Sequence, residues 1–205
     1  LGLLGKHWIL PTLEAGAAVR IFFASKPDFS RIPTSLHKFI VVLGMAESEH
    51  HFATKTTLEM NAHMLEKFPG RKWYVKADDD TFFMLPNLVR LMNRYNRARR
   101  VWKDKGVPNL ADPLQRSIVL GKLLHRGTYV SGGAGYLQSA HALRQAVPAI
   151  RANLNDCTKG YVPSEDGVIT CVHKALKSSI VNIPGMYINT VASVARGEHV
   201  GAATE

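Results

Sequence analysis

The order of apolar runs along the chain predicts an α/β domain, a mostly parallel central sheet flanked by helices. Three observations predict it. Short runs rich in β-branched and aromatic residues alternate with longer segments of helical spacing, the pattern of strand and crossover helix. Clusters of Pro, Gly and Ser punctuate the transitions. Three consecutive carboxylates, Asp78, Asp79 and Asp80, follow one of the apolar runs directly, at the strand end where such sheets hold their ligands.

The elements follow in order. Val19 to Ala24 and Phe39 to Leu43 read as buried strands, with Pro27, Pro33 and several serines marking a loop between them. From Ala53 to Phe68, Leu58, Ala62, Leu65 and Phe68 keep helical spacing, and Pro69-Gly70 stops the helix. Trp73 to Ala77 is the strand that carries the acids. Pro86 suits the first position of the next helix, whose apolar stripe is Leu88, Leu91, Met92 and Tyr95. The segment from Asn96 to Gln115 is the one candidate insertion. Ser117 to Leu120 and Tyr129 to Ser131 read as strands. Ser139 opens a helix bearing Leu143, Ala146 and Val147 that is expected to end at Pro148. Ser164 caps a last helix with Val168, Ile169, Val172 and Leu176 on its apolar face. No repeat, low-complexity tract or linker divides the chain, so residues 1–205 are expected to form one domain.

A length of 205 residues allows burial of roughly 70% of the unfolded surface without disulfide support. The composition, 46% hydrophobic and 20% charged, excludes a disordered or fibrous chain. The net charge of +10 favours an anionic partner. Nucleic acid is not the expected one: the densest basic stretch, from Arg90 through Arg94, Arg97, Arg99 and Arg100 to Lys103 and Lys105, carries no nucleic-acid motif. No apolar stretch approaches the roughly 18 residues of a membrane span. The chain begins at Leu1, and it is expected to be a piece of a longer protein.

Along an extended chain, Asp78 and Asp80 point to one side and Asp79 to the other. Two carboxylates on one side can share a hard cation whose shell substrate phosphates and water complete. An acidic turn before the next helix is the plainer account, but Thr81 to Leu85 separates the acids from that helix. Ser131-Gly132-Gly133-Ala134-Gly135-Tyr136 supplies glycines that let a ligand press against main chain. Its spacing is neither a P-loop nor a dinucleotide fingerprint. Glu165 and Asp166, in the first turn of the last helix, are accounted for locally by favourable interaction with the helix dipole. The same dipole keeps a carboxylate ionised and able to accept a proton. Cys157 and Cys171 form a disulfide in an oxidising compartment or stay thiols in a reducing one. The scattered histidines give no zinc pattern.

Trp73 to Thr81, Tyr129 to Ser139 and Glu165-Asp166 together resemble the inverting β1,3-glycosyltransferases of the Fringe and core 1 galactosyltransferase group, glycosyltransferase family 31. Tyr129-Val130-Ser131, Tyr136 and the spacing of the two cysteines are most similar to the core 1 galactosyltransferases. Lys55-Thr56 resembles that family's Lys-Thr pair ahead of the acids. The resemblance implies a GT-A fold, a UDP-sugar donor and a divalent cation, usually Mn²⁺. It assigns the metal to Asp78 and Asp80. The donor falls to Lys55, Asp78, Asp79, Gly132, Gly133, Ala134 and Gly135, and the general base is Asp166, with Glu165 as the alternative. It implies transfer of a hexose, galactose first and N-acetylglucosamine second, to a glycan on glycoprotein. It also implies a Golgi or endoplasmic reticulum location, a membrane anchor outside this chain, and compatibility with a homodimer. A non-catalytic folding partner is the alternative of another class, though such relatives tend to lose the acid triplet that this chain keeps. The chain departs from the family pattern in four places. It is expected to lack the strand the family has ahead of the position of Trp8, and it has Gly167 where an apolar residue commonly follows the acid. Only His199 in the tail could serve as a late metal ligand, and a one-residue shift between Cys157 and Glu165 is needed to align the two acids.

Overall fold

The structure is a computed structural model that describes residues 9–46, 52–78, 81, 83–97, 113–124, 129–152, 157 and 164–183. Asp79, Asp80, residues 98–112 of the expected insertion, and His199 lie outside the described residues.

A four-stranded sheet in the order β3-β7-β4-β8 forms the centre: β3 is Trp73–Lys76, β4 Ile118–Gly121, β7 Tyr136–Ser139 and β8 Ser179–Asn182. β7 runs antiparallel to both neighbours, pairing Lys76 with Tyr136 on one side and Gly121 with Tyr136 on the other. Only β4 and β8 are parallel. The expectation of a mostly parallel sheet is therefore corrected to a mixed one. The cause is a chain reversal between Leu124 and Tyr129: Leu123 and Leu124 already pair antiparallel with Val130 and Tyr129, and the returning limb, after the turn at Gly132 to Gly135, resumes against Ile118–Gly121 as β7. A crossover helix would have been needed to keep the strands parallel.

Helices cover both faces, because the strands are apolar on both. α2 (Phe52–Lys67), α4 (Ala140–Arg151) and α5 (Glu165–Ala175) lie on one side. Leu58, Ala146, Ile150, Val168, Ile169 and Val172 pack there with Val119 and Tyr136. α3 (Leu85–Arg97) covers the other, where Leu88, Leu91 and Met92 meet Trp73, Val75, Ile118, Leu120 and Leu137. The division follows strand alternation, residues 118 and 120 facing one way and 119 the other.

Two further pairs complete the fold. β1 (Ile21–Phe23) and β2 (Ile40–Val42) pair in parallel around a separate cluster of Ile9, Ile32 and Leu36, supported by the short helix α1 (Leu10–Glu14). β5 (Leu123–Leu124) and β6 (Tyr129–Val130) pair antiparallel. Among the described residues neither pair joins the central sheet.

Ser139 ends β7 and caps α4. Its hydroxyl oxygen accepts from Ala142 N at 3.1 Å and from Ile118 N at 3.0 Å, and its proton goes to Arg116 O at 2.6 Å. α4 does not stop at Pro148 but continues to Arg151, with Pro148 inside it. Cys157 and Cys171 are joined in a disulfide that ties the segment after α4 to α5. Among the described residues no helix is long and apolar enough to cross a membrane.

Candidate active site

The three sequence motifs meet at one end of the central sheet. β3 ends at Lys76, and alternation puts Lys76 on the same side of the strand as Asp78. The Lys76 ammonium lies 2.5 Å from Asp78 Oδ1 and 2.7 Å from Glu165 Oε1, so one cation joins the acid turn to the first turn of α5. Lys76 and Glu165 are largely buried, with side chains 14% and 20% exposed. Asp78, at 41%, opens to solvent. Burial works to lower Lys76, but Glu165 and Asp78 outweigh it and hold the ammonium above its ordinary pKa. Burial raises Glu165, and Lys76 only partly offsets it.

A second connection runs through Thr81. Its hydroxyl oxygen accepts from the Asp78 N–H at 3.0 Å and its proton goes to Gly133 O, also at 3.0 Å. The Thr81 N–H closes the turn on Asp78 O at 3.1 Å. The acid turn is thus tied to the glycine tract across 52 positions of sequence.

Gly132 then meets Asp166. Its N–H donates to Asp166 Oδ2 at 2.8 Å, while Asp166 Oδ1 accepts from the Tyr129 hydroxyl and from the Gly167 N–H at 3.0 Å. Burial tends to raise the Asp166 pKa. Hydrogen bonds from Ser164, Tyr129 and the backbone of Gly132 and Gly167 outweigh it and hold the carboxyl below the ordinary aspartate range. This is the ionised, directed carboxylate that a proton acceptor requires. Gly132 is closely packed against the base: a Cβ there would stand 3.1 Å from Asp166 Cβ and Oδ2, so Asp166 would have to give by a few tenths of an ångström. Gly133 is exposed, with nothing within 4 Å of a Cβ. Ala134 is buried. At Gly135 the positive φ and a Cβ contact of 2.9 Å with Lys76 O both demand glycine.

The structure therefore brings together Asp78, Gly132, Gly133, Ala134, Gly135, Glu165 and Asp166. Lys55 is exposed in the first turn of α2. Among the described residues no group of three His, Cys, Asp or Glu could hold a metal ion, but Asp80 stands outside them. The half-exposed Asp78 carboxylate is a hard oxygen donor of the kind Mn²⁺ and Mg²⁺ accept, so the donor chemistry fits a hard divalent cation.

Sequence reasoning missed Lys76, Thr81 and the role of Tyr129. The alternation that pairs Asp78 with Asp80 also includes Lys76, and was the available signal. Ser164 begins α5 as expected, yet its side chain makes no capping bond. Its hydroxyl lies 2.6 Å from the Tyr129 hydroxyl instead.

An α/β core with Asp78 just past a strand end, a glycine tract and helix-start acids gathered at one sheet end is the arrangement of a GT-A type glycosyltransferase fold. The chain belongs to the Fringe-like family, whose model matches residues 7–199. It is similar to the human protein "Beta-1,3-N-acetylglucosaminyltransferase lunatic fringe", 32% identical over 107 residues. That match takes in 45% of this chain and 28% of the relative's length.

Proposed function

We propose that this chain carries the donor and catalytic site of an inverting β1,3-glycosyltransferase that moves a hexosyl group from a UDP-sugar to a glycan on glycoprotein. The observation that carries the reading is the convergence of Asp78, Glu165 and Asp166 on the glycine tract, through Lys76 and Thr81. The Asp166 carboxylate takes the proton of the acceptor hydroxyl as that oxygen attacks the anomeric carbon of the donor. The bond to the diphosphate breaks on the opposite face, which inverts configuration in one displacement. A positioned base contributes roughly 10² to 10⁴ in rate. Glu165, paired with Lys76, is then a structural acid rather than the base. The glycine tract lines the sugar pocket, with Gly133 facing open space, and Lys55 and Asp79 complete the donor site. Asp78 and Asp80 would hold Mn²⁺, which when bound neutralises charge developing on the departing diphosphate.

Two donors compete. The Tyr-Val-Ser lead-in to the glycines favours galactose, and the similarity to lunatic fringe favours N-acetylglucosamine. A lumenal site in the Golgi or endoplasmic reticulum accords with the Cys157–Cys171 disulfide, because such bonds persist in oxidising compartments. The anchor would lie outside this chain.

The test is a screen of UDP-sugars with and without Mn²⁺, reading transfer and donor hydrolysis. One donor is expected to turn over with Mn²⁺ only, and turnover is expected to collapse in Asp80→Ala and Asp166→Asn. Undiminished turnover in Asp166→Asn removes the assignment of the base. Failure to bind UDP with Mn²⁺ present favours a non-catalytic relative.

A further inference from the structure

We propose that Tyr129 is a positioning residue for Asp166, fixing the rotation of its carboxylate so that Oδ2 meets the acceptor hydroxyl. This rests on Asp166 being the base. A carboxylate offers about four acceptor positions, two on each oxygen. Oδ1 receives two donors, the Tyr129 hydroxyl and the Gly167 N–H. Oδ2 receives the Gly132 N–H, and Ser164, which also bonds the carboxylate, shares its one proton with the phenol 2.6 Å away, which leaves Oδ2 the oxygen with fewer committed donors.

The phenol is held well enough to direct the carboxylate. Tyr129 sits in β6, and the next residue, Val130, is fully buried. The Val130 N–H donates to Thr170 Oγ1 of α5 at 3.1 Å, and the Ser131 N–H to Lys122 O at 2.9 Å. The backbone that carries the phenol is therefore pinned to the helix that carries Asp166. Ser164, the residue that precedes α5, also holds the phenol, its hydroxyl 2.6 Å away.

The ionisable groups around this pair leave the phenol a donor. Glu165 adjoins Asp166 on α5, Lys76 of β3 neutralises Glu165, and Asp78 lies beyond Lys76. Burial first, then the bond to Asp166, pushes Tyr129 up to about 12. The hydroxyl therefore keeps its proton and does not compete for that of the acceptor.

The test compares Tyr129→Phe with Asp166→Asn on the active enzyme, and adds ¹³C NMR titration of the Asp166 carboxyl, assigned by its absence in Asp166→Asn. Tyr129→Phe is expected to lower kcat about tenfold or more, with the donor KM within about twofold. The Asp166 titration is expected to move up by about one pH unit as one stabilising hydrogen bond is lost. Should the Phe variant fail to fold, 3-fluorotyrosine at position 129 keeps the shape and donates more strongly, so the titration should move down. If Asp166→Asn is inactive while kcat and titration are unmoved by either change at position 129, the positioning role is overturned and the base stands. Full activity in Asp166→Asn overturns the base itself.

Discussion

Gly132 is the position where one added methyl group should separate folding from chemistry. In Gly132→Ala the new Cβ would stand 3.1 Å from Asp166 Cβ and Oδ2 and 3.2 Å from its Cγ, several tenths of an ångström inside comfortable contact. The main chain of residue 132 is anchored by its turn to Gly135, so the side chain of Asp166 has to give. Being partly exposed, it can give without disrupting the core, and the expected loss of stability is about 1 kcal/mol, the low end for overpacking. The catalytic loss is larger, because a misplacement approaching 1 Å costs about 10² in rate. A fall in kcat of roughly tenfold to a hundredfold is expected. Gly133→Ala is the matched comparison: its Cβ meets nothing within 4 Å, so the melting temperature should hold, and the donor KM should rise if the open space is the sugar pocket. Steady-state kinetics and thermal unfolding of both variants read the outcome. An unchanged kcat in Gly132→Ala, with the variant folded, refutes the assignment of Asp166 as a precisely held base.

Three other outcomes follow from the same geometry. His173 is fully buried, and burial lowers it from 6.5 to about 4. The unfolded chain therefore binds more protons between those values, and stability present above pH 6.5 drains away as pH falls. About 2 kcal/mol should be lost between pH 7 and pH 5 in urea titrations, with a flatter profile in His173→Asn. Lys76→Met leaves Glu165 without its cation and should cost about 3 to 5 kcal/mol. Lys76→Met with Glu165→Gln should recover part of that loss, and no recovery would argue against the ion pair as the cause. Reducing Cys157–Cys171, whose partners are 14 positions apart, should cost about 3 kcal/mol by loop entropy, visible as a lower urea midpoint with reductant.

Most elements were legible because their apolar residues carry the period of the structure they form. α2, α3 and α5 begin within a residue or two of their expected starts, and β1 to β4 occupy the expected runs. β7 was not legible. Its four residues are buried throughout, so no alternation marks them, and two of them, Gln138 and Ser139, are polar. Their polarity is absorbed by distant partners: Gln138 Oε1 accepts from His173 at 2.8 Å, and Ser139 serves both Ile118 and Ala142. A polar residue in a strand is acceptable only when such partners exist, and a single chain read in order does not display them. Missing β7 is also what led to the wrong strand direction. α4 passed Pro148 for a related reason: the helix is clamped by the burial of Ala146, Val147, Ala149 and Ile150, and tertiary packing overrides the lost hydrogen bond.

The candidate site follows a different rule, since its residue types were legible while their division of labour was not. Read locally, Glu165 and Asp166 are equivalent first-turn acids on one helix dipole. In three dimensions their surroundings differ in kind. Glu165 turns inward to an ammonium and is raised by burial. Asp166, though burial tends to raise it, turns to the Ser164 hydroxyl, a phenol and two backbone N–H groups and is lowered. A group bound to a lysine has its charge already spent, and extracting it for proton transfer would strand Lys76 in the interior. A group held by neutral donors stays anionic and keeps a free acceptor direction. The divergence of two adjacent carboxylates is how environments assign separate roles to chemically equal groups. Here it favours Asp166 over Glu165, on grounds that no spacing along the chain contains.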